Sequence, residues 1–352
     1  MRKVMVIIMV AMIIFYWVFE AKAGGDLDKY PARFYGSLKA FPPAVNVAGM
    51  GNFWAALPNP FSANPAAYST FPEIDQALYG SGSEISFNAG PDIHLSVIDV
   101  LLKMGKGFLR VDYYGFNSDW AKTKISLGGM NLENKVEGKC FQFGYGLPVI
   151  KDKLFLGLTI IPLYSSDVKF NSPYLDVRAK SRNRGAVRLG GLYSPFRSRK
   201  VWLGLVIEHS KNRLQTDLNM LAYQPDLGGF YRIKEKQVEH PSTSLVRSGL
   251  SIKPWEGATI GIDWVWGKVD VKGTKDYHVN QVYAGMEQWL NPNLALRAGA
   301  ADKGFTAGLG LRKEIAGNQL FIDYAFMTEP MGDMKPFWGG GKSHLVSLTF
   351  AW

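Results

Sequence analysis

The sequence predicts an all-β protein: a transmembrane antiparallel β-barrel of outer-membrane type with about 14 strands. Three observations carry that expectation. From about residue 85 the chain is a succession of short extended segments, several of which separate into an aliphatic face and a face bearing charges. Short and long connections between these segments largely alternate. The chain stops on His344 to Trp352, where the alternate residues Val346, Leu348, Phe350 and Trp352 are all large and apolar.

At the other end, Arg2 and Lys3 precede an uncharged run from Val4 to Phe19, and Ala21-Lys22-Ala23 sets small residues where a signal peptidase reads. Residues 1–23 are therefore expected to be a cleaved secretory signal. The run falls short of the ~20 residues that span a bilayer. An uncleaved anchor is the alternative, which the small-residue spacing disfavours. No comparable apolar run follows, so a bundle of transmembrane helices is excluded. The net charge of +10 in an exported chain points to anionic lipid headgroups or solutes, with no nucleic-acid partner. Cys140 is the only cysteine, so no internal disulfide forms and the fold must supply its own stability.

The strand segments set the faces. Ile260, Ile262, Trp264 and Trp266 share one side opposite Asp263, and Leu320, Ile322, Tyr324 and Phe326 share one opposite Asp323. Leu109, Val111 and Tyr113 oppose Arg110 and Asp112, while Leu294 and Leu296 oppose Arg297. In a lipid-out, polar-in wall, Arg110, Asp112, Asp263, Arg297 and Asp323 face the lumen. A soluble barrel has the same period with its faces reversed, so periodicity leaves that choice open. Connection lengths favour the membrane. Brief turns at 148–153, 195–200, 253–257, 290–293 and 314–318 are separated by longer joins near 165–184, 209–244, 268–280 and 327–343. Most long loops then lie at one end, as in outer-membrane barrels. Glycines inside strands, as in "TAGLGLRK" and "VWLGLVIEH", point to crowded interior positions or a bending wall. Trp202, Trp255, Trp289 and Trp352 near strand ends suit an interfacial girdle. Residues 77–352 make the barrel on this reading, and the terminal strand closes it.

That terminal strand, with Val346, Leu348, Phe350 and Trp352 at alternate positions, resembles the signal by which the outer-membrane assembly machinery recognises its clients. Residues 47–68, "VAGMGNFWAALPNPFSANPAAY", resemble the segment preceding the barrel in the FadL/PorV-like superfamily, which includes long-chain fatty-acid transporters. Gly49, Met50 and Gly51 match its Gly-Met-Gly-type start, and Asn64, Pro65 and Ala66 its Asn-Pro-Ala signature. The stretch from Tyr283 to Phe326 is similar to the PorV-like branch in its order of strand, short turn and glycine-rich strand. The resemblance implies that the N-terminal segment, within residues 24–76, plugs the lumen, and that small apolar molecules bind or pass there. Pro42, Pro43, Pro58, Pro60, Pro65 and Pro72 prevent regular strands in it. A proline-rich periplasmic linker is the alternative.

Catalytic chemistry is not signalled. "GGGKS" at 339–343 has Pro336 where a phosphate loop needs glycine, and a strand follows instead of a helix. In "GMGNFW", Trp54 replaces the last glycine of a dinucleotide fingerprint. The five histidines are dispersed, so no metal or other cofactor is expected. An outer-membrane esterase would need a Ser–His pair assembled from separate strands, and no G-x-S-x-G turn is present. The chain is expected not to be an enzyme.

Two stretches bear on ligands. Arg178, Lys180, Arg182 and Arg184 alternate, forming one basic edge if extended, suited to carboxylates or lipopolysaccharide phosphates; an ordinary solvated loop is the alternative. The join 327–343 carries Met331, Met334, Phe337 and Trp338, a capture surface for a hydrophobic ligand, unless it packs over the barrel mouth or against lipopolysaccharide. The sequence thus points to a passive outer-membrane barrel for hydrophobic small molecules such as long-chain fatty acids or hydrocarbons. The alternative is a non-conducting, PorV-like docking partner of a secretion system.

Overall fold

The computed structural model describes residues 44–70, 75–88, 92–119, 121–123, 132–171, 175–196, 198–224, 229–270, 277–301, 303–330 and 340–352. The expected signal segment and Met331, Met334, Phe337 and Trp338 lie outside them. The described residues form one antiparallel sheet of sixteen strands. In order these are β1 (Gln76–Phe87), β2 (Ile93–Met104), β3 (Gly107–Ser118), β4 (Ala121–Thr123), β5 (Leu132–Ile150), β6 (Leu154–Asn171), β7 (Leu175–Tyr193) and β8 (Val201–Gln224). They continue as β9 (Gly229–Glu239), β10 (Ser242–Ile252), β11 (Ala258–Asp270), β12 (Tyr277–Asn291), β13 (Leu294–Ala301), β14 (Gly304–Ile315), β15 (Asn318–Thr328) and β16 (Gly341–Ala351).

β3 and β4 both pair with β5, and β9 and β10 both pair with β8, so the sixteen strands build fourteen staves. Closure comes from β16, which pairs with β15 on one side and β1 on the other. Among the described residues the barrel wall is thereby closed, and only the projecting strands β4 and β9 pair on a single side.

Exposure fixes which face is out. Leu205, Ile262 and Leu348 are 46%, 47% and 53% exposed, while inward Asp263 and Arg110 are 0% and 1% exposed. A continuous band of exposed aliphatic residues around a charged interior is the inverse of a soluble barrel and matches hydrocarbon as the outer solvent. Val346 sits mid-strand in that band. Val346→Arg is therefore expected to lower stability by ~2–4 kcal/mol, read as a reduced urea midpoint for the chain folded into lipid vesicles.

Two expectations need correcting. The joins at 165–184 and 209–244 are mainly strand: β6 runs to Asn171, β7 begins at Leu175, and β8 reaches Gln224 before returning as β9. These strands overhang the apolar band; their outer face there is polar, and the inner face mixes Val168 and Leu214 with Ser166, Ser181 and Asn212, so the sequence reads as loop. Trp202 is not at a girdle. It is 2% exposed, faces inward and packs on Phe155 at 5.9 Å between ring centroids.

Residues 44–70 lie inside the barrel. They comprise a short helix α1 (Val45–Gly49), an irregular stretch and a 3-10 turn (Pro65–Ser69) that Asn64 caps by accepting from the Ala66 N–H. All but Asn46, Pro58 and Asn59 are buried.

Candidate functional site

A ring of wall glycines seats this inner segment. Glycine in a strand marks close approach of another backbone, and here the approach is direct. A Cβ on Gly204 would overlap the Ala55 carbonyl; on Gly157 or Gly146, Pro65; on Gly190, Asn64; on Gly261, the Phe53 ring; on Gly285, the Met50 carbonyl. On Gly299 it would stand 2.6 Å from the Gly51 Cα. The contacts run in chain order around the wall: Gly49 on β14, Met50 and Gly51 on β12 and β13, Phe53 on β11, Ala55 on β8 and β10, Pro65 on β5 to β7. Gly51 is fixed twice over, by φ of +76° and by the Ala284 carbonyl that a side chain would strike.

Backbone pressed against backbone leaves polar groups to satisfy, and wall side chains do so. Asp263 accepts from the Trp54 and Ala55 N–H groups at 2.6 and 2.8 Å and from Arg247 Nε at 2.8 Å. The Arg247 guanidinium lies 4.1 Å from the Trp54 ring centroid and 4.5 Å from that of Tyr283, and donates to the Asn52 carbonyl. Arg110 pairs with Asp99 at 2.6 Å and Asp112 at 3.2 Å and donates to the Ser62 carbonyl at 2.6 Å. Arg188 pairs with Glu208 at 2.8 Å and reaches the Ala63 carbonyl. Arg297 bridges Glu287 and Asp323, each at 2.7 Å. Asn64 donates to the carbonyls of Ala55 at 2.6 Å and Gly191 at 3.2 Å, and Thr306 Oγ1 accepts from Gly51 N–H while donating to the Gly49 carbonyl.

Arg110, Asp112, Asp263, Arg297 and Asp323 thus all point inward, and the first and third touch the inner segment itself. Gly49, Gly51, Asn64, Pro65 and Ala66 are inner-segment residues that meet wall glycines. Arg188, Glu208, Arg247, Asp99 and Glu287 were missed by sequence reasoning. Arg188 continues the alternation of Arg178, Lys180 and Arg182, but a register shift between Asn183 and Gly185 turns it from the outer face to the lumen. Val346, Leu348, Phe350 and Trp352 lie on the outer surface, away from the lumen.

On the loop side of the segment the inward wall is mostly aliphatic: Ile85, Val97, Val136, Leu214, Val269, Val279, Met327 and Leu345, with hydroxyls such as Ser181 and Ser343 and the amides of Asn212 and Gln281 between them. On the turn side a cavity of about 650 Å³ is lined by Leu57, Pro58, Phe61, Trp289 and Phe321, with Lys253 and Arg312 among its cations.

No family model matches the chain, and none of the curated proteins is similar to it in sequence. Solved structures share its fold. A Pseudomonas aeruginosa FadL homologue is similar with a TM-score of 0.57 at 12% identity, covering 89% of this chain and 99% of its own. The P. putida toluene transporter TodX gives 0.54 at 10% identity over 89% and 98%. The monoaromatic hydrocarbon channel CymD gives 0.53 at 14% identity over 89% and 97%. At such identities the likeness establishes the fold alone: a closed antiparallel barrel with the architecture of those structures.

Proposed function

We propose that this chain passively conducts hydrophobic small molecules, long-chain fatty acids or hydrocarbons, across a bacterial outer membrane after export on its signal segment. The observation that carries this reading is the aliphatic wall on the loop side of the inner segment. A porin lumen that passes polar solutes is lined by polar groups, whereas this wall alternates aliphatic side chains with uncharged hydroxyls and amides and offers an incoming solute more apolar than polar surface. The fold shared with a toluene transporter and a hydrocarbon channel supports the same class.

In the mechanism, Met331, Met334, Phe337 and Trp338 collect the ligand on the outer loop. It moves down the aliphatic wall to the inner segment, which acts as a plug built on Gly49, Gly51 and the Asn64-Pro65-Ala66 turn. Displacement of the plug opens the way to the cavity on the turn side, which faces the periplasm. No bond is made or broken, so no catalytic residue is assigned. The inward charges position the plug rather than line a watery pore.

A Phe337→Ala/Trp338→Ala variant is expected to slow uptake of a labelled long-chain fatty acid or aromatic hydrocarbon by at least about tenfold, since the loss of a single apolar contact of ~1.5 kcal/mol already corresponds to that factor. Unchanged uptake at equal surface expression removes the capture role of that loop. The docking-protein reading draws on the tight seat of the inner segment, which suits a closed barrel. Stoichiometric co-purification of partner chains, with no hydrophobe uptake by the intact protein, would select it.

A further inference from the structure

Above its apolar band, the outer face of β5–β9 turns basic in ordered rows. Cross-strand register places Lys139, Ser165, Arg182 and Arg213 side by side. The next row toward the membrane holds Phe141 and Leu163. Farther out, Lys135, Lys169, Arg178, Asp217 and Lys236 form a row across all five strands. Successive rows on one face are about 7 Å apart and neighbouring strands about 4.8 Å, so these cations form a compact patch at the level where headgroups begin.

The carboxylates within the patch are already engaged. Asp167 holds Arg178 through two 3.0 Å contacts to Nε, Glu137 takes Lys135 and Lys169 at 3.3 Å each, and Asp217 accepts from Gln215. Among the described residues, no ion pair forms to Lys180, Arg182, Arg213 or Lys236. Arg182 and Arg213 are direct cross-strand partners. Like charges placed opposite each other destabilise a sheet, so this pair calls for an external anion. Two guanidinium forks side by side match the oxygens of a phosphate.

We propose that the overhang of β5–β9 binds a phosphate group of the phosphorylated glycolipid of the outer leaflet through Arg182 and Arg213, with Lys139 and Lys180 beside them, while the lipid's acyl chains lie along Phe141 and Leu163. Continuity between the basic rows and the apolar band on one outward face selects a lipid-borne phosphate over a free one. This site is on the outer wall and is independent of what passes through the lumen.

The test is retention of lipopolysaccharide by the full chain purified from outer membranes in mild detergent, measured by native mass spectrometry. Wild type is expected to keep bound lipopolysaccharide, Arg182→Glu/Arg213→Glu to lose it by roughly tenfold, and Arg182→Lys/Arg213→Lys to keep most of it. Equal retention by the charge-reversed variant overturns the proposal. Should that variant fail to fold, delipidated wild type decides: its melting temperature is expected to rise with lipopolysaccharide and not with the dephosphorylated glycolipid or with inorganic phosphate. An equal rise with either of the latter two overturns the site as assigned.

Discussion

Gly204→Leu is expected to drive the inner segment off the wall and open the barrel to ions while leaving the barrel itself folded. Gly204 is held on both sides by ladder pairing, to Leu192 on β7 and to Gly249 on β10. The wall therefore cannot retreat. A side chain there would overlap the Ala55 carbonyl and stand 2.5 Å from the Ala56 nitrogen. Overpacking costs ~1–3 kcal/mol even where side chains can shift, and here the obstacle is main chain. Once Ala55 moves, the two N–H donors that Asp263 accepts are withdrawn as well. Wild type in a planar bilayer should show little steady conductance, and the variant frequent open events. Gly191→Leu is the control: a Cβ there meets only Leu156 at 3.8 Å, on the outer side, and should leave conductance unchanged.

Asp263→Ala is expected to be the most damaging single change inside the lumen, at ~3–5 kcal/mol, because it strands a buried charge without its partner. It removes the acceptor of Arg247 and of two backbone N–H groups at once. Arg247 would be left between Trp54 and Tyr283 with only the Asn52 carbonyl to accept from it among its described hydrogen bonds. Replacing both members, Arg247→Leu with Asp263→Leu, should recover part of the loss, since a well-packed apolar pair avoids the desolvation that the ions incur. Urea midpoints for the two single variants and the double variant give the coupling directly. A double variant as unstable as the sum of the singles would show that the pair acts as two separate anchors.

The sequence made the wall legible wherever one face was aliphatic and the other charged. Ile260, Ile262, Trp264 and Trp266 against Asp263 read correctly because lipid and lumen demand opposite residue types at alternate positions. The scattered glycines also carried their meaning, since Gly204, Gly190 and Gly157 each mark a place where the inner segment lies against the wall. Other parts were hidden for definite reasons. β2 places Val97 and Leu101 inward beside Asp99, so its inner face is no more polar than its outer one. β10 mixes polar and apolar residues on both faces, which concealed Arg247. One extra residue near Arg184 was enough to invert the side on which Arg188 falls, and no pattern of period two announces a bulge. The overhang has a polar outer face, and its inner face breaks the apolar run with Ser166, Ser181 and Asn212, so the period-two contrast faded there. The pairing of Arg110 with Ser62 and of Asp263 with Trp54 depends on contacts between distant segments, which no local spacing encodes.

The central claim is that the lumen favours apolar solutes while the inner segment stays seated. It is tested most directly in cells stripped of their own hydrophobe uptake and carrying this chain, by comparing entry of a labelled long-chain fatty acid or aromatic hydrocarbon with entry of a labelled sugar of similar size. The expected result is faster entry of the hydrophobe and unchanged entry of the sugar. Faster entry of the sugar, with the hydrophobe unaffected, would contradict it.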